Sequence, residues 1–202
     1  MQMPVRLLPA IRALRAGGVI AYPTEAVFGL GCDPFDAGAV ERIRRLKSRA
    51  WRKGLILIAA DQWQLHQFLR PVPDAWQHQL DASWPGPVTW LLPCSQQTPR
   101  WLTGGRDTIA VRVTDHPLAR ALCMAWGGAL VSTSANRSGS PAARTAAEAR
   151  FRLGAAVDCV INGPTGGRAK PSEIRDLRSG RTLRAGDTAA DQVETLFPGG
   201  TP

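Results

Sequence analysis

The stretch DTIAVRVTDHPLARALCMAWGGALVSTSAN, residues 107–136, decides the fold class. Thr108–Thr114 alternates Ile109, Val111 and Val113 against Ala110 and Arg112, the period-two pattern of a strand. Residues 116–126 then follow a helical pattern, and Ala129–Ser132 returns to a strand. The same alternation of elements extends in both directions. Val19–Tyr22 (ending at Pro23), Leu55–Ile58, Val88–Leu92 and Val157–Ile161 read as strands, with weaker ones at Ile174–Leu177 and Thr182–Arg184. Residues 4–16, 36–47, 61–69 and 74–82 read as helices. Strands alternating with helices predict an α/β fold whose sheet is covered on both faces. Pro/Gly clusters at 84–87, 103–105, 139–141, 163–167 and 198–202 are loops, none long enough to be an interdomain linker. The expected organisation is one domain over 1–202, with a core over about 5–185 and a tail over 186–202 that frays after about Phe197.

Composition narrows the partners. The chain of 202 residues carries 25 Lys+Arg against 16 Asp+Glu, a formal net charge of +9. A hydrophobic fraction of 44% supplies a core and excludes a disordered chain. No run approaches the roughly 18 apolar residues of a membrane span. The N-terminal stretch is broken by Arg6, Arg12 and Arg15, so it reads as a helix and not as a secretory leader. Of the 25 basic residues, only Lys47, Lys53 and Lys170 are lysines. This bias fits either a GC-rich genome or a demand for anion binding, whether phosphate, nucleic acid or an acidic surface. Cys32, Cys94, Cys123 and Cys159 are scattered, and His66, His78 and His116 are isolated, so no zinc-ligand spacing exists. Unpaired thiols are expected in a reducing cytoplasm.

Four segments have the residue types that chemistry needs. YPTEAVFGLG (22–31) runs a strand into a polar pair and then into glycines, which suit a tight turn or a close backbone approach. KSRAWRKG (47–54) packs four cations between a helix and a strand. Such a run is commonly a solvated face, but Arg forks and Lys point charges also suit a polyphosphate. Trp51 within it is a candidate stacking platform for a base. STSANRSG (132–139) gathers hydroxyls and an amide at a strand end, suited to oxyanions or simply to turn chemistry. Residues 168–184 hold six cations and two acids, either a basic surface or a flap over an anion. Walker-A and GxGxxG strings are absent, as is GxSxG, and no histidine sits where it would activate a serine.

Taken in order, these segments resemble the YrdC/TsaC family of threonylcarbamoyl-AMP synthases of tRNA modification. The matching strings are YPTEAVFGLGCDP (22–34), LKSRAWRKGLILIAA (46–60), WPGPVTWLLP (84–93), PRWLTGG (99–105), DTIAVRVTDHPL (107–118), LVSTSANRSGSP (130–141) and TGGRAKPSEIRD (165–176). The family's K-x-R-x(3)-K hallmark stands here as Lys47, Arg49 and Lys53, and its S-x-N as Ser134 and Asn136. The chain looks most like the short bacterial form. The resemblance implies a YrdC-like twisted mixed sheet with flanking helices around a basic cavity. It implies the conversion of L-threonine, bicarbonate and ATP to L-threonylcarbamoyl-AMP and pyrophosphate, with Mg²⁺ entering on ATP and no dedicated metal site. The product would serve N6-threonylcarbamoyladenosine formation at position 37 of tRNAs reading ANN codons, through partner proteins of the TsaB/TsaD/TsaE type.

By the same resemblance, Lys47, Arg49 and Lys53 are the catalytic cations. Arg49, Lys53, Thr108, Ser134, Asn136 and Arg184 hold ATP, while Thr24, Arg112, Ser132 and Ser172 hold threonine. Ala26 stands where many relatives have a second Thr that helps hold threonine, Lys53 and Ile58 where the longer relatives commonly have Asn and His, and Ala142 where Ser is frequent. The second reading is a non-catalytic RNA-binding or ribosome-maturation factor of the same fold, resting on the charge; no RNP1 string, KH GxxG loop or zinc knuckle accompanies it. A third is a carbamoyl-transfer domain working on another protein's substrate.

Overall fold

The computed structural model describes residues 5–185; the predicted frayed tail lies outside them. The strands are β1 (Ile20–Pro23), β2 (Phe28–Gly31), β3 (Ile56–Ala59), β4 (Val88–Pro93), β5 (Thr108–Val113), β6 (Leu130–Ser134), β7 (Cys159–Val160), β8 (Glu173–Asp176) and β9 (Thr182–Arg184). They form one sheet in the order β7-β1-β2-β6-β3-β5-β4-β8-β9. Pairing is mixed: β3 and β5 run parallel, whereas β6 is antiparallel to both β2 and β3. The fold is the twisted mixed sheet with flanking helices that the sequence predicts.

Alternation along each strand sorts side chains between two layers. On one face, α1 (Leu8–Arg15) and α5 (Pro117–Trp126) pack Ile11, Leu14, Leu118 and Leu122 onto Ile20, Tyr22, Ile58 and Leu130. On the other, Val19, Ala21, Leu57, Val111 and Val131 meet α2 (Ala37–Leu46), the 3-10 segment Gln62–Phe68, α3 (Asp74–Asp81) and α6 (Ala146–Leu153). Caps fix where the helices start. Asp36 accepts from the amide of Ala39 at 2.9 Å, and His116 Nδ1 accepts from that of Ala119 at 3.3 Å.

Three expectations need correction. The glycine-rich Phe28–Gly31 forms a strand, with Gly29 opposite Tyr22 and Ser134. Glycine is required at 31, where a Cβ would lie 2.7 Å from Tyr22 Cε1. Residues 62–68 form a 3-10 helix and not an α-helix. Its Leu65 and Phe68 are three residues apart, the spacing that a 3-10 turn stacks on one side, and both are buried. Two helices are additional: α6, and the short α4 (Arg100–Thr103).

Register along the first face places the site. Ile58 pairs with Leu130, and both lie in the layer under α1 and α5. Two residues further along, Ile56 pairs with Ser132 and Ala110, and these line an open cavity.

Candidate active site

The cavity has a volume of about 260 Å³, and its lining draws on β2, β3, β5, β6, the loop after α2 and the crossing segment 168–172. All eleven residues expected from the sequence line it: Thr24, Lys47, Arg49, Lys53, Thr108, Arg112, Ser132, Ser134, Asn136, Ser172 and Arg184. Glu25, Arg106, Arg168 and Lys170 also line it and were not singled out individually. Trp51 lies outside the lining, half exposed, next to Gly105.

The loop after α2 is built so that neighbouring cations go to different places. Ser48 has a left-handed φ of 46°, the only non-glycine positive φ among the described residues, and it separates Lys47 from Arg49. Lys47 is buried and its ammonium braces the end of β6. It donates to Ser134 O at 2.7 Å, Asn136 Oδ1 at 2.8 Å, and Ser134 Oγ and Asn136 O at 3.2 Å. Burial, helped by the charge of Arg49, pushes its pKa down to about 7. Asn136 completes the brace, its amide donating to Ser140 O at 2.8 Å and Arg137 O at 3.1 Å. The hallmark S-x-N is thus legible as a buried hydrogen-bond network that shapes the loop over 134–140.

Arg49 turns the other way. Its Nε donates to Gly54 O at 3.0 Å and its Nη2 to Lys53 O at 3.2 Å. Burial, with Arg44, Arg184 and Arg106 nearby, brings it down to about 10, still protonated at neutral pH. Gly54 must be glycine: its φ is +59°, and a Cβ would lie 2.9 Å from Leu102 O. Arg44, buried behind the loop, donates to the carbonyls of Trp51 and Trp101 and so ties the 3-10 turn Trp51–Lys53 to α4.

Arg184 on β9 reaches in from the sheet's far edge. Its Nη2 donates to Ser172 O at 2.6 Å and to Ser172 Oγ at 3.2 Å. Burial, then Arg112, lowers its pKa to about 10. Ser172 Oγ also accepts from Thr89 at 3.1 Å. Of the basic stretch 168–184, Arg168, Lys170 and Arg184 line the cavity, and the stretch supplies strands β8 and β9.

The part of the cavity beside the β1–β2 turn is organised by Glu25. Thr24 closes the β1–β2 turn, its hydroxyl donating to Val27 O at 2.7 Å. Segment 166–168 lies across this turn, Gly166 N donating to Thr24 O and Arg168 N to Glu25 O, both at 3.0 Å. Glu25 Oε2 accepts from Arg112 Nη1 at 2.6 Å, and Oε1 accepts from the Thr114 hydroxyl. Burial favours the neutral acid, but Arg112 and the Thr114 hydroxyl outweigh it and hold Glu25 at about 2. Arg112 is 5% exposed, and its Nε has no partner. A buried unsatisfied guanidinium N–H is costly unless a ligand meets it.

Fold and site together define a class: an α/β protein with an open cavity lined by arginines and lysines, in which no histidine stands among the described lining residues. The chain matches a family model described as "Telomere recombination" (Sua5/YciO/YrdC) over residues 12–186, and it belongs to this family. A protein of Halorhodospira halophila named threonylcarbamoyl-AMP synthase is 57% identical over 90% of this chain and 95% of its own length. One from Nitrosococcus oceani with the same name is 56% identical over 89% and 97%. Among solved structures, P. abyssi Sua5 complexed with L-threonine superposes with a TM-score of 0.82 at 32% identity, covering 95% of this chain. The chain spans 56% of that longer protein. E. coli YciO gives a TM-score of 0.80 at 30% identity, with 94% of both chains covered.

Proposed function

We propose that this chain is a threonylcarbamoyl-AMP synthase, joining L-threonine, bicarbonate and ATP into L-threonylcarbamoyl-AMP with release of pyrophosphate. The observation that carries this is the convergence of eleven residues from across the chain on one cavity. The relatives that share that name at 56–57% identity support it. The reaction first forms a carbamate from the amine and bicarbonate, with loss of water. A carbamate oxygen then attacks the α-phosphorus, and pyrophosphate leaves. Every reactant is anionic or zwitterionic, so the barrier is dominated by charge repulsion and by assembly. Fixed cations answer both, and the site needs no covalent intermediate.

In this reading Arg49, Lys53 and Arg184 neutralise the triphosphate and the departing pyrophosphate. Thr108 and Ser134 donate to the nucleotide, while Lys47 and Asn136 hold the loop that presents Ser134. Arg112 takes the threonine carboxylate, with Thr24, Ser132 and Ser172 around it. Mg²⁺ enters on ATP, held by phosphate oxygens and water. Among the described residues, no group of three or more His, Cys, Asp or Glu could hold an ion. The product would pass to tRNA-modifying partners in the cytoplasm; no helix among the described residues is long and apolar enough to cross a membrane.

The alternative of a non-catalytic RNA-binding factor is not favoured. Lys47 and Arg112 are at most 8% exposed, out of reach of a polynucleotide backbone. The test is incubation with ATP, labelled bicarbonate and a panel of amino acids. Label should enter a nucleotide product with threonine; label that enters no nucleotide with any amino acid would overturn the proposal.

A further inference from the structure

The cations lining the cavity differ in how they are compensated. Arg49 and Arg184 donate only to neutral oxygens, and neither makes an ion pair among the described residues. Their neighbours are other cations: Arg44, Arg184 and Arg106 act on Arg49, and Arg112 acts on Arg184. Arg112, in contrast, is bound to Glu25, the only acidic residue lining the cavity among those described. The carboxylate cannot drift from this role. Both its oxygens are engaged, the turn that carries it is pinned by segment 166–168, and a Cβ on Gly166 would lie 3.0 Å from Glu25 Cα.

Compensation changes what Arg112 can attract. A bare guanidinium beside a polyphosphate site would bind phosphate bidentately and occupy the place of the second substrate. A guanidinium already paired with a carboxylate presents little net positive charge to the cavity. A monoanionic carboxylate can still take a hydrogen bond from a guanidinium N–H, whereas a di- or trianionic phosphate is repelled by Glu25. We propose that Glu25 is a specificity-determining residue that reserves Arg112 for a substrate carboxylate and excludes phosphate from that part of the cavity. It acts through Arg112 and is a positioning residue, not a catalytic one. Held at about 2, with both oxygens already accepting hydrogen bonds, it is too weak a base to deprotonate the amine. The inference rests on the functional reading above and adds a division of the cavity that the reading does not contain.

The test is calorimetric titration of L-threonine into the full chain, with and without saturating inorganic pyrophosphate, for the wild type, Glu25→Gln and Glu25→Asp. In the wild type, pyrophosphate should change the threonine Kd by less than about twofold. In Glu25→Gln it should raise the apparent Kd roughly tenfold, because pyrophosphate now competes for Arg112. Glu25→Asp keeps the charge and should stay near the wild-type ratio even if both affinities fall. Circular dichroism and thermal melts verify that each variant is folded. An unchanged ratio in folded Glu25→Gln overturns the inference while leaving the synthase reading intact. Equal ratios in the Gln and Asp variants, both shifted from wild type, also overturn it, since charge would then not be the cause. A wild type that binds pyrophosphate but no threonine overturns the functional reading and this inference together.

Discussion

Two neighbouring patches of one sheet face have opposite fates. Ile58 and Leu130 pair across β3 and β6 under α1 and α5, and both are 0% exposed. Ile56 and Ser132 pair two residues further along the same strands and open onto the cavity. The strands do not change direction between the patches, and the face is the same. What changes is the cover: helices on one patch, a cavity on the other. On β6 the boundary is marked by the switch from Leu130 to Ser132 and Ser134, and on β5 by Arg112, which stands opposite Ile58 at the edge of the covered patch. Stability therefore belongs to one patch and chemistry to the other, although they are two residues apart.

Substitutions can break this separation. Ile58→Ala leaves a hole under the helices and should cost about 3 kcal/mol of unfolding free energy. Denaturant melts read this, and the ATP Michaelis constant measured below the melting temperature should remain that of the wild type. Arg49→Ala should do the reverse. Loss of charge-assisted contacts of about 2 kcal/mol lowers kcat/KM for ATP about 30-fold. Its melting temperature should hold or rise, since an unpaired buried charge is removed. Ser132→Ala, on the cavity side of the boundary, should raise the threonine KM about fivefold with little change in melting temperature. A large stability loss there would show that the cavity patch is really core.

The smallest expected effect is a pH dependence. Lys47, pushed down to about 7, sheds its proton as pH rises through that value and loosens its hold on Ser134 and Asn136. Bound ATP, a polyanion, favours the protonated ammonium, so ATP binding at pH 8 should take up protons and its affinity should weaken above about 7. The sign for stability follows from linkage. Between about 7 and the lysine's ordinary value the unfolded chain binds the extra proton, so this group's contribution to stability rises with pH there. Calorimetry in buffers of different ionisation enthalpy reads the proton uptake. Lys47→Met should abolish it, and a buffer-independent enthalpy in the wild type would contradict the assignment.

Much of the fold was legible because alternation and helix periodicity are local signals. β5, α5 and β6 follow from residues 107–136 within a residue or two. β2 was not, because FGLG lacks β-branched residues; its strand state comes from pairing with β1 and β6 and from the room that glycine leaves for Tyr22. α6 was missed because AAEARFRL has a weak stripe, burying Ala149 and Leu153 while Phe151 stays exposed. The cations of the site were legible as a cluster, and the family resemblance gathered the rest. The role of Glu25 is not legible in the sequence, because it depends on Arg112, 87 residues away. The brace made by Lys47 was equally hidden, since its acceptors on β6 are visible only in three dimensions.

The central claim is that one cavity assembles three reactants, and pyrophosphate release under omission of each tests it most directly. The account predicts release with ATP, threonine and bicarbonate together and only background when either threonine or bicarbonate is left out. Release from ATP that is indifferent to threonine would contradict it.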